Sequence, residues 1–254
     1  MNAVDHAILT TLLLSVLTFV LVLAVAFVFL LLHRARRRQA QAGEAGETEA
    51  EATAGPGFGA AGGGLFGPRP AGWVAVRSKN PMAVQNALAL HNPKTGTWAE
   101  VMGGRDRRTL FVAPPVAGWT LVVGEALPDP AVDVDVCFRF LCQLSRELGE
   151  VQFFRADPVI GDHAWARLDR GRVVRAYAWA EGRTLWNQGP RTAVEKALQL
   201  RCHEYGDPAE TAGGVDNAER VPLLATCWSL DPGDLDAAFL TEAPGIVGER
   251  RTRG

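Results

Sequence analysis

The chain has 254 residues, of which 48% are hydrophobic and 21% are charged, and its net charge is −2. These proportions are ordinary for a globular protein and exclude a wholly disordered, collagen-like or disulfide-scaffold chain. The near balance of charges disfavours a generally basic nucleic-acid-binding protein. At ~150 residues per domain, the length predicts one or two domains.

A long apolar segment occupies residues 7–32, which contain no charged residue, glycine or proline. At ~1.5 Å per residue it forms a helix of ~39 Å, longer than the ~30 Å hydrocarbon core of a bilayer. Its polar side chains belong to threonine and serine, which can bond to carbonyls of their own helix. The segment therefore predicts a single transmembrane helix in contact with the lipid bilayer.

The flanking charges predict the orientation of this helix. Asp5 precedes it, whereas His33 and four arginines lie within residues 33–38. The positive-inside tendency places this cluster in the cytoplasm and residues 1–6 outside. A cleaved signal peptide would need the opposite charge order and a shorter apolar core. We therefore expect a single-pass protein of the inner (plasma) membrane whose C-terminal domain is cytoplasmic.

Residues 33–72 combine the basic stop-transfer cluster with a linker rich in glycine and alanine. Residues 39–72 include 10 Gly and 9 Ala. A segment of this composition buries too little apolar surface to offset the entropy that an ordered chain loses. Residues 57–62 match G-x-G-x-x-G, the pattern of dinucleotide-binding proteins. A strand should precede this pattern and a helix should follow it, and neither is predicted here. We therefore treat the match as accidental and expect no cofactor.

Residues 73–240 are predicted to form a soluble α+β domain. A first strand at 73–78 is followed by a helix to about residue 90, because Asn80 and Pro81 are typical of a helix start. Asn92 and Pro93 are expected to end this helix. Three more strands are predicted at 97–102, 109–113 and 119–124.

The second half shows a similar order of elements. Asp133 or Asp135 caps a helix that ends near Gly149. Strands at 151–155, 163–168, 173–180 and 184–188 form a meander with two tight turns. Helices are predicted at 192–204, with Thr192 and Glu195 as a capping box, and at 222–229. Residues 241–254 are predicted to be a disordered basic tail.

This order predicts the fold class α+β, with an antiparallel sheet covered by helices. Helix and meander occur twice, which raises the hypothesis of two helix-plus-meander units related by duplication. The two halves share no residue-level repeat.

Two strands of the second meander carry the candidate binding face. Alternate residues of a strand point to opposite faces. On 163–168 and 173–180, one face is rich in alanine and the other in aromatic and basic side chains. The candidate residues are His163, Trp165, Arg167, Arg175, Tyr177, Trp179 and, from the next strand, Trp186. Tryptophan and arginine are enriched in binding hot spots, and arginine stacks on aromatic rings.

This face has two interpretations. It is a binding surface, or it is a second core layer closed by the chain before Gly124, with arginine stems covering the rings. A bound partner would be a protein, a peptide or a small anionic ligand. Single-stranded nucleic acid also uses aromatic and arginine side chains. It is disfavoured because residues 73–236 hold 18 basic against 21 acidic residues.

Four segments resemble a pattern found in a family of uncharacterised bacterial proteins. They are 118–124 (GWTLVVG), 163–167 (HAWAR), 175–179 (RAYAW) and 185–187 (LWN). The resemblance covers residues 73–231 and implies a bacterial source and a stand-alone domain. It implies no activity, cofactor or catalytic residue.

The reactive side chains form no familiar catalytic or metal-binding signature. The four cysteines, Cys137, Cys142, Cys202 and Cys227, include no C-x-x-C pair, and we expect buried, reduced thiols and no metal. Consecutive residues 202–204 would point ~100° apart on a helix and could not form one site. His163, which follows Asp162, is a candidate acid–base residue.

Three functional hypotheses follow. The first is a membrane-anchored cytoplasmic recognition or scaffold domain without catalysis. The second is a membrane-tethered enzyme or small-ligand-binding domain that uses His163 and its aromatic and arginine neighbours. The third is a purely structural or assembly role.

Overall fold

The computed structural model describes residues 63–64, 67–68, 70–103, 108–207, 214–235, 239 and 242–250. The predicted membrane segment and most of the predicted linker lie outside these residues. In the described part of the chain, no helix has the length and apolar character needed to cross a bilayer. Within the predicted linker, Gly63–Gly64 pairs antiparallel with Gly67–Pro68.

The described residues contain one nine-stranded antiparallel sheet. Its strands are β1 (Gly72–Val76), β2 (His91–Gly96), β3 (Thr109–Val112), β4 (Thr120–Val123), β5 (Glu150–Asp157), β6 (Asp162–Asp169), β7 (Arg172–Ala180), β8 (Arg183–Gln188) and β9 (Gly245–Glu249). Their order across the sheet is β8-β7-β6-β5-β1-β4-β3-β9-β2. An α+β fold with an antiparallel sheet is therefore confirmed.

Helices lie on both faces of this sheet. They are α1 (Pro81–Ala87), α2 (Trp98–Gly103), α3 (Val134–Leu148), α4 (Ala193–Ala197) and α5 (Gly214–Trp228), followed by a 3₁₀ turn at Pro232–Asp234. Local sequence signals start three of them. Asn80 and Asp133 are the N-caps of α1 and α3, and Thr192 and Glu195 form the predicted capping box of α4.

Two apolar layers result, one on each face of the sheet. The layer under α1 and α3 contains the small strand residues Ala164, Ala166 and Ala176. The opposite layer contains Trp165 and Tyr177 of the sheet, and α5 contributes residues such as Val221 to it. The alternation of small and large residues along β6 and β7 thus separates two cores, as the strand pattern predicts.

Two helix-plus-meander units were predicted, and the strand pairing shows a meander in the second half only. Strands β5 to β8 form a meander in which each strand pairs with the next. In the first half, β1 pairs with β4, and β9 lies between β3 and β2. The two halves meet where β1 pairs with β5. A first meander is therefore absent from the described residues.

The predicted strand at 97–102 is wrong, because helix α2 occupies this position and strand β2 precedes it. Asn92 and Pro93, which were expected to end the first helix, lie inside β2, and α1 already ends at Ala87. This strand is at the edge of the sheet and pairs only with β9 within the described chain. Proline is tolerated on an edge strand because its missing N–H would face solvent.

The predicted disordered tail is wrong for residues 245–249, which form the interior strand β9. Two glycines of this strand permit close packing. A Cβ atom at Gly245 would collide with the ring of Phe111, and one at Gly248 would lie 2.9 Å from Leu90 Cβ. Glycine-rich composition here therefore reflects close approach within the sheet and not disorder.

The last two predicted helices have different bounds. Helix α4 ends at Ala197, because the chain turns at Gln199 (φ 53°) and Asn217 Oδ1 accepts a bond from the N–H of Arg201. Helix α5 begins at Gly214 and contains Pro222, which was predicted to be near its start. Packing of Val221 and Leu224 against the sheet offsets the backbone bond that proline cannot form.

Candidate functional site

The predicted binding face is assembled but buried. Five of its residues, His163, Trp165, Arg175, Tyr177 and Trp179, are at most 7% exposed. Helix α5 lies across β5 and β6, and the segment after β8 lies beside Tyr177 and Trp179. Among the residues that the structure describes, the cover therefore comes from those after 192 and not from those before Gly124. A ligand could contact these five side chains only if this cover moved away.

The aromatic rings of this face pack on one another. The centroids of the His163 and Trp165 rings are 5.7 Å apart with nearly parallel planes, and those of Trp165 and Tyr177 are 4.9 Å apart. Trp179 contacts the imidazole of His203 at 4.8 Å. Such pairs stabilise the interior beyond the area that they bury.

A fully buried ion pair lies at the centre of this face. Arg175 Nε donates to Glu195 Oε1 at 2.8 Å, and neither side chain is exposed. Trp165 Nε1 donates to the same oxygen at 2.8 Å, and Glu195 Oε2 accepts from the N–H of Thr192 at 2.7 Å. Because each oxygen of the carboxylate is bonded, the pair fastens α4 to strands β6 and β7, near one edge of the sheet.

The remaining donors of Arg175 reach the end of β8 and the segment after it. Nη1 bonds Asn187 Oδ1 at 2.8 Å and the carbonyl of Gln188 at 3.2 Å, and Nη2 contacts Cys202 Sγ at 3.2 Å. These contacts give each nitrogen of the buried guanidinium an acceptor, which a charge in an apolar interior requires. Arg175 is thus part of the folding core.

His163 is held as a neutral ring. Its Nδ1 is 2.8 Å from the carbonyl of Gly161, and its Nε2 is 3.0 Å from Asn217 Nδ2. The amide nitrogen Nδ2 can only donate, so His163 Nε2 accepts and Nδ1 carries the proton. Burial lowers the pKa of His163 from 6.5 to about 4. With both nitrogens bonded and 2% of the residue exposed, this geometry gives no support to an acid–base role.

The other reactive side chains are similarly engaged. Asp162 accepts from the N–H of Glu181 at 3.2 Å, and its neighbour His163 bonds elsewhere. Residues 202–204 are not helical, and Cys202 lies against Arg175 while His203 lies against Trp179. Burial raises the pKa of Cys202 to about 11, so its thiol stays protonated near neutral pH. These contacts do not form a nucleophile–base pair.

Arg167 and Trp186 differ from the other five candidates. Arg167 is partly exposed and forms a 2.9 Å ion pair with Glu150. Trp186 belongs to the opposite layer, under α3, and not to the aromatic–arginine face. A register shift between Thr184 and Trp186 in β8 reverses the expected alternation. The prediction that Trp186 shares the face of Trp179 is therefore wrong.

This reversal places Trp186 at the floor of a surface groove between α3 and β8. The α3–β8 groove has a volume of about 390 Å³ and is lined by Asp135, Phe138, Leu185, Trp186, Asn187 and Tyr205, among others. The rings of Phe138 and Trp186 meet edge to face, with centroids 5.7 Å apart. Phe138 is 37% exposed and Tyr205 is 59% exposed.

The buried ion-pair cluster shapes one wall of this groove. Asn187 accepts from Arg175 through its side chain, and its backbone N–H donates to the Tyr205 hydroxyl at 2.8 Å. This bond engages a backbone N–H at the edge of β8 and holds Tyr205 beside the strand, with its ring at the surface. Phe138 and Tyr205 were not among the predicted site residues. The sequence signal for Phe138 is an aromatic residue outside the apolar stripe of α3. The signal for Tyr205 is an aromatic residue in a polar turn.

Comparison with protein-family models, with curated proteins and with solved structures finds no match for this chain. The resemblance to uncharacterised bacterial proteins therefore stays a prediction, as does the bacterial source.

Proposed function

We propose that this chain is a membrane-anchored recognition protein whose α+β domain binds a peptide segment of a protein partner in the α3–β8 groove. The observation that carries the proposal is the concave surface formed by Phe138, Trp186 and Tyr205. Aromatic residues of this kind dominate binding energy when a partner covers them. Trp186 is only 7% exposed, so its side chain is already ordered in the core and loses little entropy on binding, while Phe138 and Tyr205 supply most of the exposed aromatic surface.

The charges around the groove indicate the chemistry of the partner. Asp135 lies in the lining, and Glu204 and Asp207 flank Tyr205 in an exposed turn. Among the described lining residues, Asp135 is the only one with a charge. The proposed ligand is therefore a segment with an apolar anchor side chain beside a lysine or arginine. Charge complementarity of this kind sets partner choice and association rate.

Selection of random displayed peptides on the full chain tests this proposal. Enriched peptides are expected to share an apolar residue next to a basic one. Phe138→Ser should raise their Kd by ~30-fold, the loss of a ~2 kcal/mol anchor. Asp135→Lys should change the selected neighbour from basic to acidic. The matched control is Val159→Ser, which changes an exposed aliphatic side chain in the turn between β5 and β6.

Two results would contradict the proposal. One is a set of peptides that bind Phe138→Ser as well as they bind the unaltered chain. The other is a concentration-dependent dimer that Phe138→Ser dissociates, because a second copy of the chain would then be the occupant of the groove.

The membrane anchor in this proposal rests on residues 7–32 and the adjacent arginines. We expect the full chain to remain in the membrane fraction after alkaline carbonate extraction. Leu17→Lys with Leu21→Lys should release it, because two charges near the bilayer centre oppose insertion. Leu17→Ala with Leu21→Ala should stay in the membrane. Release of the unaltered chain would contradict anchoring by this segment.

A further inference from the structure

A second concave site lies at the end of the sheet where β1 begins and β4 ends. Its volume is about 350 Å³, at the lower end of the ~300–1,000 Å³ range of small-molecule sites. Apolar walls come from Val101, Met102, Leu127 and Phe153. It is separate from the α3–β8 groove, with which it shares none of its lining residues.

Three ionisable side chains of the described residues line this cavity, and they include both signs of charge. Arg155 Nη2 is 2.7 Å from Asp129 Oδ2, and about a quarter of each side chain is exposed. Glu125 adds a second carboxylate to the lining. A simple anion would meet two carboxylates, and a simple cation would meet the guanidinium. A ligand that carries both charges can satisfy both groups.

Arg155 also has a donor without a partner. Its Nε is buried and makes no hydrogen bond to any described residue. A buried donor that has lost water and gained no acceptor destabilises the fold. The acceptor that suits a guanidinium best is a carboxylate, which can bond two of its N–H groups.

We infer that this cavity binds a small zwitterion of the amino-acid class. Its carboxylate bonds Arg155, its ammonium group lies near Asp129 and Glu125, and its side chain contacts Met102 and Phe153. The inference is independent of the groove and of the peptide ligand proposed for it.

Calorimetric titration of the full chain with the common amino acids tests this inference. At least one apolar amino acid should bind. If it is leucine, the decarboxylated analogue 3-methylbutylamine and the deaminated analogue 4-methylpentanoate should each bind at least tenfold more weakly. Arg155→Gln and Glu125→Gln should each raise the Kd at least tenfold. Arg183→Gln, the same substitution at an exposed arginine outside the cavity, should leave the Kd unchanged.

Arg155→Gln also removes the ion pair with Asp129, so a second variant separates binding from folding. Val101→Phe fills the cavity while keeping its three charges, and it should abolish binding. The inference is overturned if no amino acid binds at ~10 mM, which corresponds to a very weak affinity. It is also overturned if the amine binds as well as the amino acid, or if binding survives both Arg155→Gln and Val101→Phe.

Discussion

Replacing Glu195 with glutamine is expected to destabilise the fold by about 3–5 kcal/mol. The carboxylate accepts from Arg175 Nε and from Trp165 Nε1, and both charged side chains are fully buried. Glutamine fills a similar volume but leaves the guanidinium without a counter-charge in an apolar interior. Urea unfolding followed by tryptophan fluorescence measures the change, since the free energy of unfolding falls linearly with denaturant.

A double-mutant cycle with Arg175→Met separates the uncompensated charge from the other contacts. The pair of substitutions should cost less than the sum of the two single ones, by about 1–3 kcal/mol, because neither charge then stays buried alone. The matched control is the exposed pair of Arg183 and Glu181, whose side chains are 69% and 71% exposed. Arg183→Ala should change stability by less than about 0.5 kcal/mol. A Glu195→Gln effect as small as that of Arg183→Ala would refute a structural role for the buried pair.

The sequence predicts elements whose signals are local. Asn80, Asp133 and Thr192 cap helices where they were expected to, because a cap depends on its own side chain and the next three residues. The tight turn residues between β6, β7 and β8 have positive φ angles at Arg170, Gly171, Glu181 and Gly182, as two-residue hairpins require. Strand existence and hairpin pairing in the second half follow from these signals.

Pairing between distant segments is not encoded locally. Strand β9 enters the sheet between β3 and β2, which precede it by more than 130 residues. Its glycines are needed for close approach to Phe111 and Leu90, a requirement that appears only after the sheet forms. The tail was predicted to be disordered from its basic character, a local property that does not report this distant pairing, and the prediction fails for that reason.

The candidate site also combines features that local sequence predicts with features that depend on distant segments. Strand alternation places His163, Trp165 and Tyr177 on one face, and this grouping is confirmed. What covers that face depends on α5, whose contact with β5 and β6 has no local signal. The position of Trp186 depends on an irregular register in β8, and a single irregularity reverses every side chain beyond it.

The buried face nevertheless bears on recognition through its contacts with the groove. Arg175 bonds Asn187, and Asn187 bonds the hydroxyl of Tyr205 at the groove wall. Arg175, a candidate binding residue of the buried face, thus helps to position Tyr205 at the wall of the groove. Rigid support of this kind is what a preorganised binding site requires.

Stability is expected to decrease by about 3 kcal/mol between pH 7 and pH 4 through His163 alone. Burial lowers the pKa of this ring in the fold to about 4, against an ordinary value of 6.5. Above pH 6.5 the ring is neutral in both states, so its contribution is fully present. As the pH falls from 6.5 towards 4, His163 binds a proton in the unfolded chain but not in the folded chain. The free energy of unfolding therefore decreases. Protonation would also make Nε2 a donor facing the Asn217 amide, which donates as well.

The measurement is the free energy of unfolding at several pH values for the unaltered chain and for His163→Gln, which has no titrating ring. The difference between the two proteins should shrink by about 3 kcal/mol as the pH falls to 4. Burial raises the pKa of the adjacent Asp162, so that group contributes with the opposite sign, but it is present in both proteins and largely cancels. His91→Gln, at an exposed position of the edge strand β2, is the matched control for replacing a histidine by glutamine. Parallel profiles for the unaltered chain and His163→Gln would mean that His163 gains a proton in the folded state, and that Asn217 and α5 do not hold the ring neutral.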